Sequence, residues 1–200
     1  MIRYECLELL AGKMTDQLVV TSQSGQRIEW SHLSKHEGNL LVGMMGCAIG
    51  VATGLALALP HRKVIALDSD GSVLLSLFNL PTLGNLQPKN LVVYVFDNGV
   101  YSGSRISYPT ATSGNTDLAA VAKGAGIKNV MTIRDLEQFK KDGVAALERT
   151  ELSFIVCKVE ESLLHREIPR PVTDLAENKY TFVRYLERTE EKTIPFIGRG

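Results

Sequence analysis

Short, continuous apolar runs alternate with stretches of helical spacing along most of this chain. Lys63-Val64-Ile65-Ala66-Leu67 and Asn90-Leu91-Val92-Val93-Tyr94-Val95-Phe96 carry β-branched and aromatic residues with no polar alternation, as strands covered on both faces do. Leu18 to Thr21, Asn129 to Ile133 and Phe154 to Val159 read as further strands. Between them, helices are expected over Arg3 to Leu10, Met44 to Leu59 (ending at Pro60), from Asp70-Gly71-Ser72 through Leu74, Leu77 and Leu80, Asp117 to Ala125, and from a capping Asp135 to about Glu148. Residues 100–115 show no period and are rich in Ser, Thr, Gly and Pro, which reads as a long loop of the kind that often carries function. This alternation predicts an α/β domain over residues 1–160: a doubly wound, mainly parallel sheet with helices on both faces and ligands beyond the carboxyl ends of its strands. Residues 161–200 turn polar around Pro169 and Pro171 before a helix from Leu175 to Glu187, and read as a C-terminal arm able to pack on a partner.

One segment competes with this picture. Leu40 to Leu59 holds no charge and repeats glycine at positions 46, 50 and 54, a length and spacing that would suit a membrane helix. Its glycine content and the α/β alternation around it favour a buried segment instead, where glycine lets backbone or ligand come close. Composition agrees: hydrophobic residues are 44% and charged residues 22% of 200, an ordinary globular balance, and a chain this long buries roughly 70% of its unfolded surface. Lys plus Arg (22) cancels Asp plus Glu (22), so no positive excess exists to neutralise a nucleic-acid backbone. Cys6, Cys47 and Cys157 are far apart with no CxxC or Cys/His cluster, which removes zinc and iron–sulfur sites and reads as reduced thiols of a cytoplasmic protein. Glu5 interrupts the apolar run that an export signal needs.

The candidate chemistry sits at two strand ends. Asp70-Gly71-Ser72 follows a strand and opens a helix, placing backbone N–H groups where a phosphate binds and a hard carboxylate oxygen beside it. Asn98 follows the next strong strand, 28 positions on (98 minus 70), and adjacent parallel strands bring both side chains to one edge of the sheet. A carboxylate, an amide oxygen and phosphate oxygens are the donors Mg2+ prefers. Taken singly, Asp70 is as well explained as an N-cap and Asn98-Gly99 as a tight turn; their conjunction is what points to a magnesium diphosphate site.

Asp68-Ser69-Asp70-Gly71-Ser72, that interval and Asp97-Asn98-Gly99-Val100-Tyr101 resemble the thiamine-diphosphate motif, GDG followed by a downstream Asn, with Ser69 at the first glycine. Together with Gly43-Met44-Met45-Gly46, Pro109-Thr110-Ala111-Thr112-Ser113-Gly114 and Thr116-Asp117-Leu118, the stretch from Arg3 to Glu160 is similar to the sulfopyruvate and phosphonopyruvate decarboxylases of that family. The resemblance implies thiamine diphosphate and Mg2+ as cofactors. It implies Asp70, Asn98 and the Val100 carbonyl as metal ligands, Gly71 and Ser72 as diphosphate binders with Tyr101 beside them, Met45 as the apolar wedge that bends the cofactor, and the Gly43 carbonyl as a partner of its aminopyrimidine. The implied reaction releases carbon dioxide and an aldehyde from a 2-oxo acid, with Arg105 and His36 as candidates for gripping the substrate's anionic head. In such enzymes the activating glutamate lies on a pyrimidine-binding domain without counterpart in this sequence, so the resemblance implies a hetero-oligomer with an α subunit carrying it. The alternatives are a carboligase of the acetolactate synthase kind, a 2-oxoacid oxidoreductase, which the missing cysteine cluster disfavours, and a non-catalytic thiamine-fold module, which the intact metal ligands disfavour.

Overall fold

The computed structural model describes residues 1–23, 25–102, 107–161, 168 and 174–194. The apolar runs form a six-stranded sheet, in order β2-β1-β3-β4-β8-β7, in which every pairing is parallel. Its strands are β1 (Leu18–Thr21), β2 (Asn39–Leu41), β3 (Val64–Ser69), β4 (Leu91–Asp97), β7 (Val130–Ile133) and β8 (Ser153–Lys158); β5 (Val100–Ser102) and β6 (Ser107–Pro109) pair antiparallel as a separate hairpin. β4 is buried along its whole length, as its unbroken apolar sequence requires.

Successive strand residues feed two cores. Leu18, Val20, Val64, Ala66, Val93, Val95, Phe154 and Val156 face α3 (Ala48–Ala58), α5 (Asn79–Leu86), α6 (Leu118–Gly124) and α8 (Leu175–Thr189). Val19, Ile65, Leu67, Val92, Tyr94, Phe96, Ile155 and Cys157 face α1 (Arg3–Ala11), α2 (Gly25–Leu33) and the helix that starts at Leu136. Each such Leu, Val or Ile contributes about 1.5–3 kcal/mol when taken out of water, so the two-sided winding is what makes an all-parallel sheet stable. Arg3 and Glu29 form a buried two-point ion pair (2.7 and 3.0 Å) that ties α1 to α2. The three cysteines are free, and burial pushes the Cys6 thiol up to about 12.

The structure corrects three expectations and shows where the C-terminal helix packs. The helix expected over Met44 to Leu59 starts four residues late: β2 ends at Leu41, a turn follows in which Gly46 takes φ 82°, and α3 begins only at Ala48. That left-handed conformation ends any helix on its N-terminal side, and among the described residues no helix is long and apolar enough to cross a membrane. The helix opened at Asp70 also stops early, as α4 (Asp70–Leu74), and α5 starts afresh at Asn79. Residues 100–115 hold the β5–β6 hairpin and a 3-10 turn, Ala111–Ser113, rather than irregular loop. Finally, α8 packs on the edge strand β2 of its own chain, where the Asn178 side chain accepts from Leu41 N (2.8 Å) and donates to Asn39 O (2.9 Å). The helix from Asp135 did form: Asp135 accepts from Gln138 N at 2.8 Å, and the run continues through a π turn to Glu148.

Candidate cofactor site

β3 and β4 lie side by side with Ser69 opposite Phe96, so Asp70, Asp97 and Asn98 emerge at one carboxyl edge of the sheet. Ser69, not Asp70, is the N-cap of α4: its hydroxyl accepts from Ser72 N at 3.4 Å. Asp70 is thereby free for other work, and it is fully buried. Its Oδ2 accepts from the hydroxyls of Thr110 (2.7 Å) and Thr112 (2.9 Å). Its Oδ1 has no hydrogen-bond partner among the described residues. Burial raises the Asp70 carboxyl above its ordinary range; the Thr110 hydroxyl opposes this and the neighbouring Asp97 adds to it. An orphaned, buried carboxylate oxygen is costly to fold around, and a cation is the partner that removes that cost.

The residues around Asp70 form a connected network. The Thr112 hydroxyl also reaches Asp97 Oδ1 (2.8 Å) and Thr110 (2.8 Å), and Lys158 on β8 pairs with Asp97 Oδ2 at 2.5 Å. The hairpin delivers both threonines. Asn98 Oδ1 accepts from Val100 N (3.2 Å), Gly99 takes φ 73°, and Thr110 N returns to Gly99 O at 2.9 Å. On the other side, Ser72 Oγ accepts from Gly46 N (2.8 Å) and Asn79 donates to Gly46 O (3.1 Å), which fixes the turn carrying Gly43 and Met45 against the Asp70 helix. A side chain at Gly71 would place its Cβ 2.4 Å from Tyr101 Cε1; only glycine lets that ring lie on the turn. Nearby, burial raises the Asp68 carboxyl to about 6 against hydrogen bonds from Ser72 and Ser22.

Asp70, Gly71, Ser72 and Tyr101 are therefore assembled in one place, with Asn98 and Val100 at the entry of the hairpin that closes over Asp70. Gly43 and Met45 are half-buried in the neighbouring turn, and a Cβ on Gly43 would lie 2.6 Å from Leu175 Cδ1. His36 is not brought to the site. It precedes β2, at the amino end of the strands, where its Nδ1 accepts from Gly38 N (3.0 Å) and its ring meets Tyr185 edge-on at 5.1 Å. Arg105 lies outside the described residues.

Sequence reasoning missed Thr110, Thr112, Asp97 and Lys158, and it missed a second polar cluster at the end of β1. There Gln26 donates to Ser22 Oγ at 2.7 Å, while Gln26 Oε1 and Thr21 Oγ1 are buried without partners among the described residues. The available signals were a Thr-x-Thr pair in an otherwise unpatterned segment and a second strand end running into a helix. Met44 (65% exposed), Leu75 (60%) and Phe78 (73%) lie on the two segments that Gly46 ties together.

Comparison with known proteins fits this geometry. Residues 22–157 match the model of the thiamine pyrophosphate enzyme C-terminal TPP-binding domain. The chain is 32% identical to sulfopyruvate decarboxylase subunit beta of Methanocaldococcus jannaschii over 192 residues, 94% of this chain and 98% of that protein. It is 34% identical to phosphonopyruvate decarboxylase of Streptomyces viridochromogenes over 147 residues, 72% of this chain and 36% of the Streptomyces enzyme. Among solved structures, benzoylformate decarboxylase from Polynucleobacter necessarius superposes with a TM-score of 0.63 at 20% identity, covering 82% of this chain and 34% of that one. The chain thus spans about a third of each of these two longer enzymes, and almost all of the β subunit. It belongs to the thiamine pyrophosphate enzymes, as their C-terminal TPP-binding domain, alongside the β subunits of sulfopyruvate decarboxylase.

Proposed function

We propose that this chain is the β-type subunit of a thiamine-diphosphate- and Mg2+-dependent carboxy-lyase, which releases carbon dioxide from a small anionic 2-oxo acid, sulfopyruvate or phosphonopyruvate, and leaves an aldehyde. The observation that carries the proposal is the Asp70 carboxylate, buried at a strand end with Oδ2 held by two hydroxyls and Oδ1 unpartnered. The donors fit the cofactor: Asp70 Oδ1, the Asn98 carboxamide oxygen and the Val100 carbonyl are the hard oxygens an octahedral cation takes together with diphosphate oxygens. Bound thiamine diphosphate supplies the carbon nucleophile and the electron sink for decarboxylation.

The chain's own residues do the rest. Thr110 and Thr112 hold Asp70 in one rotamer, so the ligand oxygen is oriented before the cation arrives. Gly71 and Ser72, at the start of α4, would border the diphosphate, and Gly71 admits the Tyr101 ring beside it. Gly43 and Met45 present a carbonyl and an apolar side chain to the aminopyrimidine end. Burial keeps water from competing for these oxygens.

The relatives that match this chain from end to end carry the name subunit beta, which supports a hetero-oligomer whose α subunit brings the pyrimidine-binding domain and its activating glutamate. Exposed Met44, Leu75 and Phe78 beside the site are apolar surface of the kind such a partner covers. A carboligase would use the same donors, but the end-to-end match with decarboxylase subunits favours decarboxylation. The test is calorimetric titration of thiamine diphosphate with Mg2+ into the complex of this chain with its cognate α subunit. Binding is expected for the wild type and is lost in Asp70→Ala and Asn98→Ala; unchanged affinity in both variants overturns the proposal.

A further inference from the structure

The C-terminal helix grips the end of the strand that leads into the cofactor turn. β2 is three residues long and is an edge strand, paired only with β1. Its outward-facing Asn39 O and Leu41 N would be open, and the Asn178 side chain closes both, at 2.9 and 2.8 Å, as a neighbouring strand would. Two residues beyond Leu41, Gly43 leaves room for Leu175 Cδ1. At 15 residues α8 is about 22 Å long, and its far end reaches the segment that leads into β3 at the amino end of the strands. There Glu190, just past the helix, pairs with Arg62 and His61 at 2.7 Å each, and Arg62 reaches the Tyr185 hydroxyl at 3.0 Å. Phe182, Tyr185 and Leu186 seat the middle of the helix in the core.

Residues 42–46 are thus held at both ends: at Gly46 by Ser72 and Asn79, and at Leu41 and Gly43 by Asn178 and Leu175. We propose that Asn178 and Leu175 are positioning residues for thiamine diphosphate, acting through the 42–46 turn to hold Gly43 and Met45 at the aminopyrimidine end. This rests on the cofactor reading above. The turn has no secondary structure of its own, so one lost anchor lets it move, whereas the diphosphate end, built on α4 and the hairpin, keeps its own supports.

The test measures dissociation constants on the complex of this chain with its α subunit, in saturating Mg2+, with two probes: thiamine diphosphate and inorganic diphosphate. Asn178→Ala and Leu175→Ala are each expected to weaken thiamine diphosphate binding roughly tenfold and to leave inorganic diphosphate binding within about twofold. Glu190→Gln, which loosens the same helix at its other end, is expected to change neither. Two results overturn the inference: folded Asn178→Ala and Leu175→Ala complexes that bind thiamine diphosphate as the wild type does, or a Glu190→Gln complex that weakens it equally, which would reduce α8 to a general stabiliser. A wild-type complex that binds no thiamine diphosphate refutes the cofactor reading itself, a separate result.

Discussion

On the proposed reading Asp70 is a carboxylate prepared for a cation: one oxygen is restrained by two threonine hydroxyls and the other is buried with no partner among the described residues. Replacing Asp70 by Asn keeps the shape and removes the charge, so Mg2+-dependent thiamine diphosphate binding is expected to fall at least a hundredfold in calorimetry. Thr112 lies behind it and bridges Asp70 to Asp97. Thr112→Val is expected to weaken Mg2+ binding by about tenfold, within the range for residues that orient metal ligands, while Thr112→Ser, which keeps the hydroxyl, restores it. Gly71→Ala drives a methyl group into the Tyr101 ring and is expected to abolish cofactor binding with little loss of secondary structure by circular dichroism. At this scale Asp70 and Asn98 were legible because two strong strand signals fixed where each side chain emerges. The threonines were not, because strands of three residues are too short to show a period, and the hairpin that delivers them depends on Asn98 and Gly99 turning the chain. His36 was placed beside the cofactor segment by proximity in sequence, yet the parallel strand between them puts it at the other end of the sheet.

The elements owe their positions to a few close approaches. In α5, a Cβ on Gly84 would lie 2.1 Å from the backbone oxygen of Ala125. Backbone cannot give way as a side chain does, so Gly84→Ala is expected to destabilise the fold by about 3 kcal/mol in a denaturant titration. At the end of α8, burial alone would raise the Glu190 carboxyl, but hydrogen bonds from Arg62 and His61 outweigh it and hold the group below its ordinary 4.5. A carboxyl with a lowered folded-state value contributes stability above its unfolded value and loses it as the pH falls through the folded one. The protection of α8 amides from hydrogen exchange is therefore expected to drop as the pH is lowered below 4.5, and Glu190→Gln to lack that step. The apolar period found β1, β3, β4, β7, β8, α1, α6, α8 and the helical run that starts at Leu136 to within a residue or two. It missed β2 and α2: β2 is three residues long, and Gly25–Leu33 mixes charged and apolar residues without a clean stripe. The uncharged run from 40 to 59 hid its break because glycine suits a helix face and a left-handed turn alike, and only Gly46 takes the second role.

As a whole, the described residues form a doubly wound domain with the candidate site at the carboxyl edge of its sheet. Its two cores pack both faces of the sheet, and the strand register brings Asp70 out level with Asp97, one residue before Asn98. Asp70 and the Thr110–Thr112 pair form one buried polar network beside the Gly46 turn, and the exposed apolar side chains of Met44, Leu75 and Phe78 lie on the segments that this turn ties together. On the proposed reading a partner chain covers this apolar border and completes the chemistry. The measurement that tests this most directly is carbon dioxide release from sulfopyruvate and phosphonopyruvate, with thiamine diphosphate and Mg2+ present, by this chain alone, by its α subunit alone and by the two mixed. The account predicts release only from the mixture, with loss of turnover when this chain carries Asp70→Asn. Release that survives Asp70→Asn, or a mixture that binds thiamine diphosphate yet decarboxylates neither acid, would contradict it.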